Sequence, residues 1–362
     1  MKIKIIKTVL IGLLFLFMTS WFYKIICLIL LSLVWKKTII SKFPYRYTFR
    51  YLMILFAVCI FAVLPRYRYN TSDRVRLIYQ DKKGNPILPP LSHYLVNVLM
   101  PEEDIMNVCI HAARLGVTCF PFVGGGTLLH QFQHDSRNWK IMNFYHPISK
   151  LNWSGQFLMS GTTSQVGNMI GLPATSSVYL IRPKHFDPDK KYPVVFFCHG
   201  GLGNWKLYQG LWKDLEDCIV LSIGTRDWNG FFGYGDIQGI FTTQLPFLKK
   251  MGFKVDETKL HIMGLSNGGT AVNMAYNKFS RRFRSITFIS TGIHQTHPVN
   301  SKIILIGGGL DGSSRSLPGA YKQLKKQGSS SAIYWDDKAT HFILVNQQNK
   351  ILKFLNTQML NH

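Results

Sequence analysis

The sequence predicts an α/β fold: from residue 178 onward a mostly parallel sheet with helices on both faces, preceded by N-terminal transmembrane helices. Three observations predict it. Short apolar runs alternate with helix-spaced segments through residues 178–362, the pattern of a sheet covered on both sides. Several of these runs stop at glycine, as at His199-Gly200-Gly201 and Gly264. Two earlier runs, residues 8–35 and 51–64, hold a single charge between them, Lys24, and are flanked by cations.

Taken in order, residues 8–35 would span about 42 Å as one helix, longer than a hydrocarbon core of about 30 Å. They read either as one tilted helix or as a hairpin broken at Lys24. Residues 51–64 stop at Pro65, between Arg50 and Arg66. No small-x-small cleavage site follows the first run, which argues against a secretory signal. Residues 1–65 therefore read as a membrane-anchoring segment of two or three helices. The two topologies place the remainder on opposite sides of the membrane, and the sequence leaves that choice open.

Charge supports the membrane as partner. Residues 1–80 carry thirteen Lys and Arg against one acid, Asp73, which is half of the formal +24. Cations beside apolar runs suit anionic headgroups. The other half is spread without a long basic block, so nucleic-acid binding is not expected. With 47% hydrophobic and 17% charged residues, the chain is not a disordered one. The six cysteines show no CxxC or metal-ligand spacing, and Cys109 with Cys119 is the one pair placed to bridge outside a buried strand. No metal or cofactor is implied, and oligomeric state is not legible.

Residues 66–177 read as a linker, basic and then proline-rich to about residue 100, followed by a helix at 102–115 and strands at 117–123 and between 139 and 170. These elements are expected to pack on the domain that follows. From there the pattern predicts strands at 178–181, 193–198 and 218–223, and a helix at 235–251 kinked by Pro246. A strand at 260–263 stopping at Gly264 and a helix at 267–279 come next. Strands at 285–290 and 302–306, a helix at 317–327, a strand at 332–335 and a closing helix at 342–359 complete residues 178–362.

Gly264-Leu265-Ser266-Asn267-Gly268-Gly269 fits Gly-x-Ser-x-Gly between an apolar strand and a helix. Glycines two residues either side let a serine sit on a sharp turn without side chains striking neighbouring backbone. The turn presents the hydroxyl at a helix N-terminus, where developing negative charge is favoured. A nucleophilic serine needs a base, and the base an orienting acid. Asp311 follows the strand at 302–306 and His341 follows the strand at 332–335, so both lie at the sheet edge where Ser266 must be. Asp336 and Asp337 are competing acids but sit as turn residues beyond the last strand. The loop His199-Gly200-Gly201 is placed to supply one oxyanion N–H, from Gly200 or Gly201, and Asn267 the other. His199 itself reads as a loop-structuring residue.

These residues resemble a family. Residues 178–201, with Pro183, Asp187-Pro188, Tyr192-Pro193 and His-Gly-Gly, are similar to the esterase D and feruloyl-esterase group of α/β-hydrolases. Residues 255–269 are similar too, including a Gly-x-Ser-x-Gly-Gly form shared with prolyl-oligopeptidase-type peptidases. The resemblance implies an α/β-hydrolase that cleaves carboxylic esters through an acyl-enzyme, with no metal or cofactor; the membrane anchor, rather than the resemblance, suggests lipid-like esters as substrates. Peptidase or acyltransferase chemistry on the same fold, or a non-catalytic binding domain, stay as alternatives. Trp228 and Phe231 in a glycine-interleaved aromatic stretch, together with His199 and His294, are candidate pocket residues. Core packing explains the aromatic stretch equally well. His294 and His297 have a metal-like spacing but no third ligand.

Overall fold

The computed structural model describes residues 2–17, 27–31, 34, 74–81, 83–87, 176–200, 211–212, 214–224 and 231–360. The second apolar run, the helix and strands expected at 102–170, and Gly201 and Trp228 lie outside them. Helix α1 covers Lys2–Phe17. It starts six residues before the apolar run, so its first turns carry Lys2, Lys4 and Lys7. Among the described residues no helix is long and apolar enough to cross a membrane.

Nine strands among the described residues form one sheet: β1 (Val75–Gln80), β2 (Pro86–Ile87), β3 (Ser176–Ile181), β4 (Tyr192–Cys198), β5 (Ile219–Ile223), β6 (Val255–Leu265), β7 (Ser285–Ile289), β8 (Lys302–Gly308) and β9 (Ser331–Asp336). Their order is β2-β1-β3-β5-β4-β6-β7-β8-β9. The six strands from β5 to β9 run parallel, and β1, β2 and β3 pair antiparallel at one side. This is the α/β-hydrolase arrangement. The chain steps outward from β4 to β5 and then returns across β4 to β6. The reversal puts the sheet's switch point between β4 and β6, and open α/β sheets bind ligands beyond the carboxyl ends of the strands at such a point.

Each parallel strand is apolar on both faces because both faces are covered. On β4, Val195 and Phe197 enter one core cluster and Val194, Phe196 and Cys198 the other. The second face is covered by α2 (Tyr234–Gly239), α3 (Leu245–Lys250), α4 (Gly269–Lys278) and α5 (Leu317–Lys326). The first face meets Leu211, Trp212, α6 (Ile343–Asn346) and α7 (Gln348–Leu355). Full burial of each large apolar side chain contributes about 1.5–3 kcal/mol, and Trp212, Phe196, Phe197 and Phe288 are all fully buried.

Several elements differ from expectation, each for a local reason. Residues 75–80, read as part of a linker, form β1, and its buried Gln80 exchanges amide hydrogen bonds with Gln244 at 2.9 and 3.3 Å. The helix expected at 235–251 is three pieces: α2, a π turn over Ile240–Gln244 and α3. Pro246, which has no N–H to continue the ladder, directly follows that π turn, whose last bond runs from the Leu245 N–H to the Ile240 carbonyl. Strand β6 runs eleven residues rather than four, its exposed first half too polar to be read as sheet. The closing helix breaks at Gln347, whose side chain accepts from Tyr334 Oη at 2.5 Å and donates to Asp336 on β9. That tertiary tie overrides the local helical pattern.

Candidate active site

Four strand ends converge on one edge. Strand β4 leads to His199-Gly200, β6 to Ser266, β8 to Asp311 and β9 to His341. Ser266 has φ +53°, left-handed for a non-glycine residue. It follows extended Leu265 and opens a 3₁₀ turn, Ser266–Gly268, that leads directly into α4. The turn closes only because of its glycines. A Cβ at Gly264 would strike the Gly268 carbonyl, and one at Gly268 would strike the carbonyls of Cys198 and His199. Strain of this kind costs about 1–3 kcal/mol and persists where surrounding structure over-determines it.

The imidazole of His341 bridges the other two side chains. Nδ1 lies 3.1 Å from Asp311 Oδ1, and Nε2 lies 3.0 Å from Ser266 Oγ. An ionised carboxylate can only accept, so Nδ1 carries the proton and Nε2 accepts from the serine hydroxyl. Asp311 is buried and His341 nearly so. Burial pushes the Asp311 carboxyl up, but the hydrogen bond and charge of His341, with the Ser313 N–H at 3.0 Å, together hold it below the ordinary carboxylate value. Its other oxygen, Oδ2, is buried with no hydrogen-bond partner among the described residues.

The oxyanion candidates flank the hydroxyl. A Cβ on Gly200 would lie 3.3 Å from Ser266 Cβ, so the β4 loop runs directly over the nucleophile turn. Asn267, the residue after Ser266, contributes one of the helix-start N–H groups that carry the positive end of the dipole. His199 is fully buried, and its Nδ1–H donates to the Gly200 carbonyl at 2.7 Å. Burial lowers its pKa to about 4 against the opposing pull of that bond, so it is neutral at pH 7 and shapes the loop.

Of the pocket candidates, Phe231 is 45% exposed, while its neighbour Phe232 is buried and packs its ring 5.1 Å from His199. The Phe232 N–H donates to Thr270 Oγ1, which donates to the Asn267 carbonyl, both at 2.9 Å. The aromatic stretch is thus pinned to the nucleophile turn. His294 is exposed, and its backbone N–H is held by Asn273 of α4 at 3.0 Å rather than by the Ser266 group. Asp336 and Asp337 are engaged elsewhere, Asp336 by Gln347 and the Lys338 N–H and Asp337 by the Trp335 indole. Sequence reasoning missed Thr270, because a threonine in the first turn of a helix carries no signal until its partners are known. Among the described residues no three His, Cys, Asp or Glu side chains group as a metal would require.

No protein-family model matches the chain. A probable dipeptidyl-aminopeptidase B of Aspergillus terreus is 31% identical over 106 residues, covering 24% of this chain and 11% of that protein. The match therefore spans about a ninth of the curated relative's length. Among solved structures, the chain is similar to a Pyrococcus horikoshii acylaminoacyl peptidase (TM-score 0.39, 15% identity, 52% of this chain and 40% of that one). It is also similar to a hyperthermophilic esterase from the archaeon Pyrobaculum calidifontis (TM-score 0.44, 13% identity, 56% and 90%).

Proposed function

We propose that this chain is a serine hydrolase that cleaves carboxylic esters through an acyl-enzyme and is held at a membrane by its N-terminal segment. The observation that carries the catalytic part is the unbroken relay Ser266 Oγ–His341 Nε2, His341 Nδ1–Asp311 Oδ1. Ser266 Oγ attacks the acyl carbonyl as its proton passes to His341 Nε2, and buried Asp311 stabilises the imidazolium. The tetrahedral oxyanion takes hydrogen bonds from the backbone N–H of Asn267 and of Gly200 or Gly201. Each donor is worth about 2.7–4 kcal/mol to the transition state. His341 returns the proton to the departing alkoxide, and a water activated by the same nitrogen releases the acid.

The ester reading draws on the likeness of residues 178–201 and 255–269 to the esterase D and feruloyl-esterase group. A second reading, peptide hydrolysis, draws on the stretch similar to dipeptidyl-aminopeptidase B. It uses the same atoms, with His341 protonating a leaving amine. The membrane part draws on α1, where Ile3, Ile6, Val9 and Leu10 are all more than half exposed beside the cations Lys2, Lys4 and Lys7.

Turnover of p-nitrophenyl acyl esters against aminoacyl and dipeptidyl p-nitroanilides separates the two reactions. Ser266→Ala is expected to lower the rate on the preferred class by about 10⁶-fold. Equal rates in the two forms would remove Ser266 from the chemistry. Release of the full chain from membranes by alkaline carbonate would remove the integral anchor.

A further inference from the structure

Ser290 follows β7 with φ +49°, a region that glycine enters freely and serine does not. Its side chain is fully buried. Its backbone N–H donates to the Ile306 carbonyl of β8 at 2.9 Å, and its Oγ–H donates to the His341 carbonyl at 2.9 Å, 51 residues away in sequence.

We infer that Ser290 is a positioning residue for His341: its hydroxyl, aimed by a left-handed backbone, fixes the main chain of the histidine at the height where Nε2 meets Ser266 Oγ. The inference rests on the serine-hydrolase reading above. Three facts favour it over an ordinary buried hydrogen bond. The acceptor is the carbonyl of the proposed base itself. The donor is anchored to β8, the strand that leads to Asp311, so one residue references the histidine to the strand behind its acid. And the backbone is held where glycine would be relaxed, so the side chain is retained against local strain. Ser290 touches no reacting atom, and its effect passes through His341.

The test compares Ser290→Gly and Ser290→Ala with the wild-type chain. Both delete the hydroxyl, and glycine also relaxes the backbone, so the glycine form is expected to keep the wild-type melting temperature. In both, kcat on a p-nitrophenyl ester is expected to fall about 10- to 100-fold, with KM changed less than twofold. The acidic limb of the kcat/KM profile is expected to move to lower pH, because a looser contact with Asp311 stabilises the imidazolium less. Wild-type kcat and an unmoved acidic limb in the glycine variant would overturn the inference. If the wild-type chain turns over no ester or anilide, the hydrolase reading has failed, and NMR titration of the His341 imidazole still decides this one. A titration shifted in Ser290→Gly sustains the positioning role, and an unshifted one ends it.

Discussion

Leu310 donates its backbone N–H to the Ala339 carbonyl at 3.0 Å, tying the loop that carries Asp311 to the loop that carries His341. Gly309 likewise donates to Asp336 at 3.0 Å. The two side chains therefore meet because their main chains are already joined, with no need of the carboxylate charge to draw them together.

That separation makes Asp311→Asn a clean probe of charge. An asparagine keeping its carbonyl towards the Ser313 N–H still accepts from His341 Nδ1, but without the anion. One that turns its amide there forces the proton onto Nε2, the wrong tautomer for accepting from Ser266. Either way the fold is expected to survive while the acyl-transfer rate falls by about 10⁴-fold. The checks are steady-state kinetics with a thermal melt beside them. A variant that melts normally and retains more than a tenth of the rate would show that the carboxylate does not support the base.

A second prediction concerns the close approach at Gly268, which packs against the carbonyls of Cys198 and His199. Cys198 pairs across the sheet with Gly264, so the turn cannot retreat from β4 without carrying Ser266 away from Gly200. Overpacking costs about 1–3 kcal/mol, and displacement of a catalytic group by about 1 Å can cost about 10²-fold in rate. Gly268→Ala is expected to lower the urea midpoint and cut turnover at least that far. Gly319→Ala, on an exposed helical position where a methyl meets nothing, is expected to leave turnover in place and to hold or slightly raise the midpoint, since alanine favours the helix. Equal behaviour of the two variants would mean that the tight contact has no consequence.

The residues that converge at the strand ends were legible because each follows an apolar run: Ser266 after β6, Asp311 after β8, His341 after β9. Parallel strands bring such positions to one edge whatever their separation in sequence. What was not legible depends on partners rather than on pattern. Strand β1 is six residues in a basic stretch, and its pairing with β2 and β3 makes it sheet, with the Gln80–Gln244 amide exchange tying its end to the helical layer. The break at Gln347 comes from Tyr334 and Asp336 on another element. Residue patterns report burial, and none of these contacts alters the pattern that precedes it.

The last prediction follows from two histidines that the fold keeps neutral. Burial lowers His199 to about 4, only partly opposed by its bond to the Gly200 carbonyl. Burial lowers His261 to about 3, with Arg284 and Lys259 repelling its cation and Asp256 opposing the shift. His261 lies on β6, with Nδ1 2.7 Å from Ser285 Oγ and no access to solvent. In the unfolded chain each titrates near the ordinary value of about 6.5. As pH falls below that value, the unfolded chain binds protons that the folded chain refuses, so stability declines with falling pH. The contribution is whole above about pH 6.5 and is lost progressively as pH falls towards the folded values. By pH 5 each histidine accounts for about 2 kcal/mol. Asp311, whose lowered carboxyl matters only below the ordinary carboxylate value, lies outside this window. Urea unfolding between pH 7 and pH 5 is expected to show an uptake approaching two protons from this pair, and His261→Gln should remove close to one of them. A mutant whose stability declines with the same slope as the wild type would mean that His261 titrates alike in both states, and that its burial has no energetic cost.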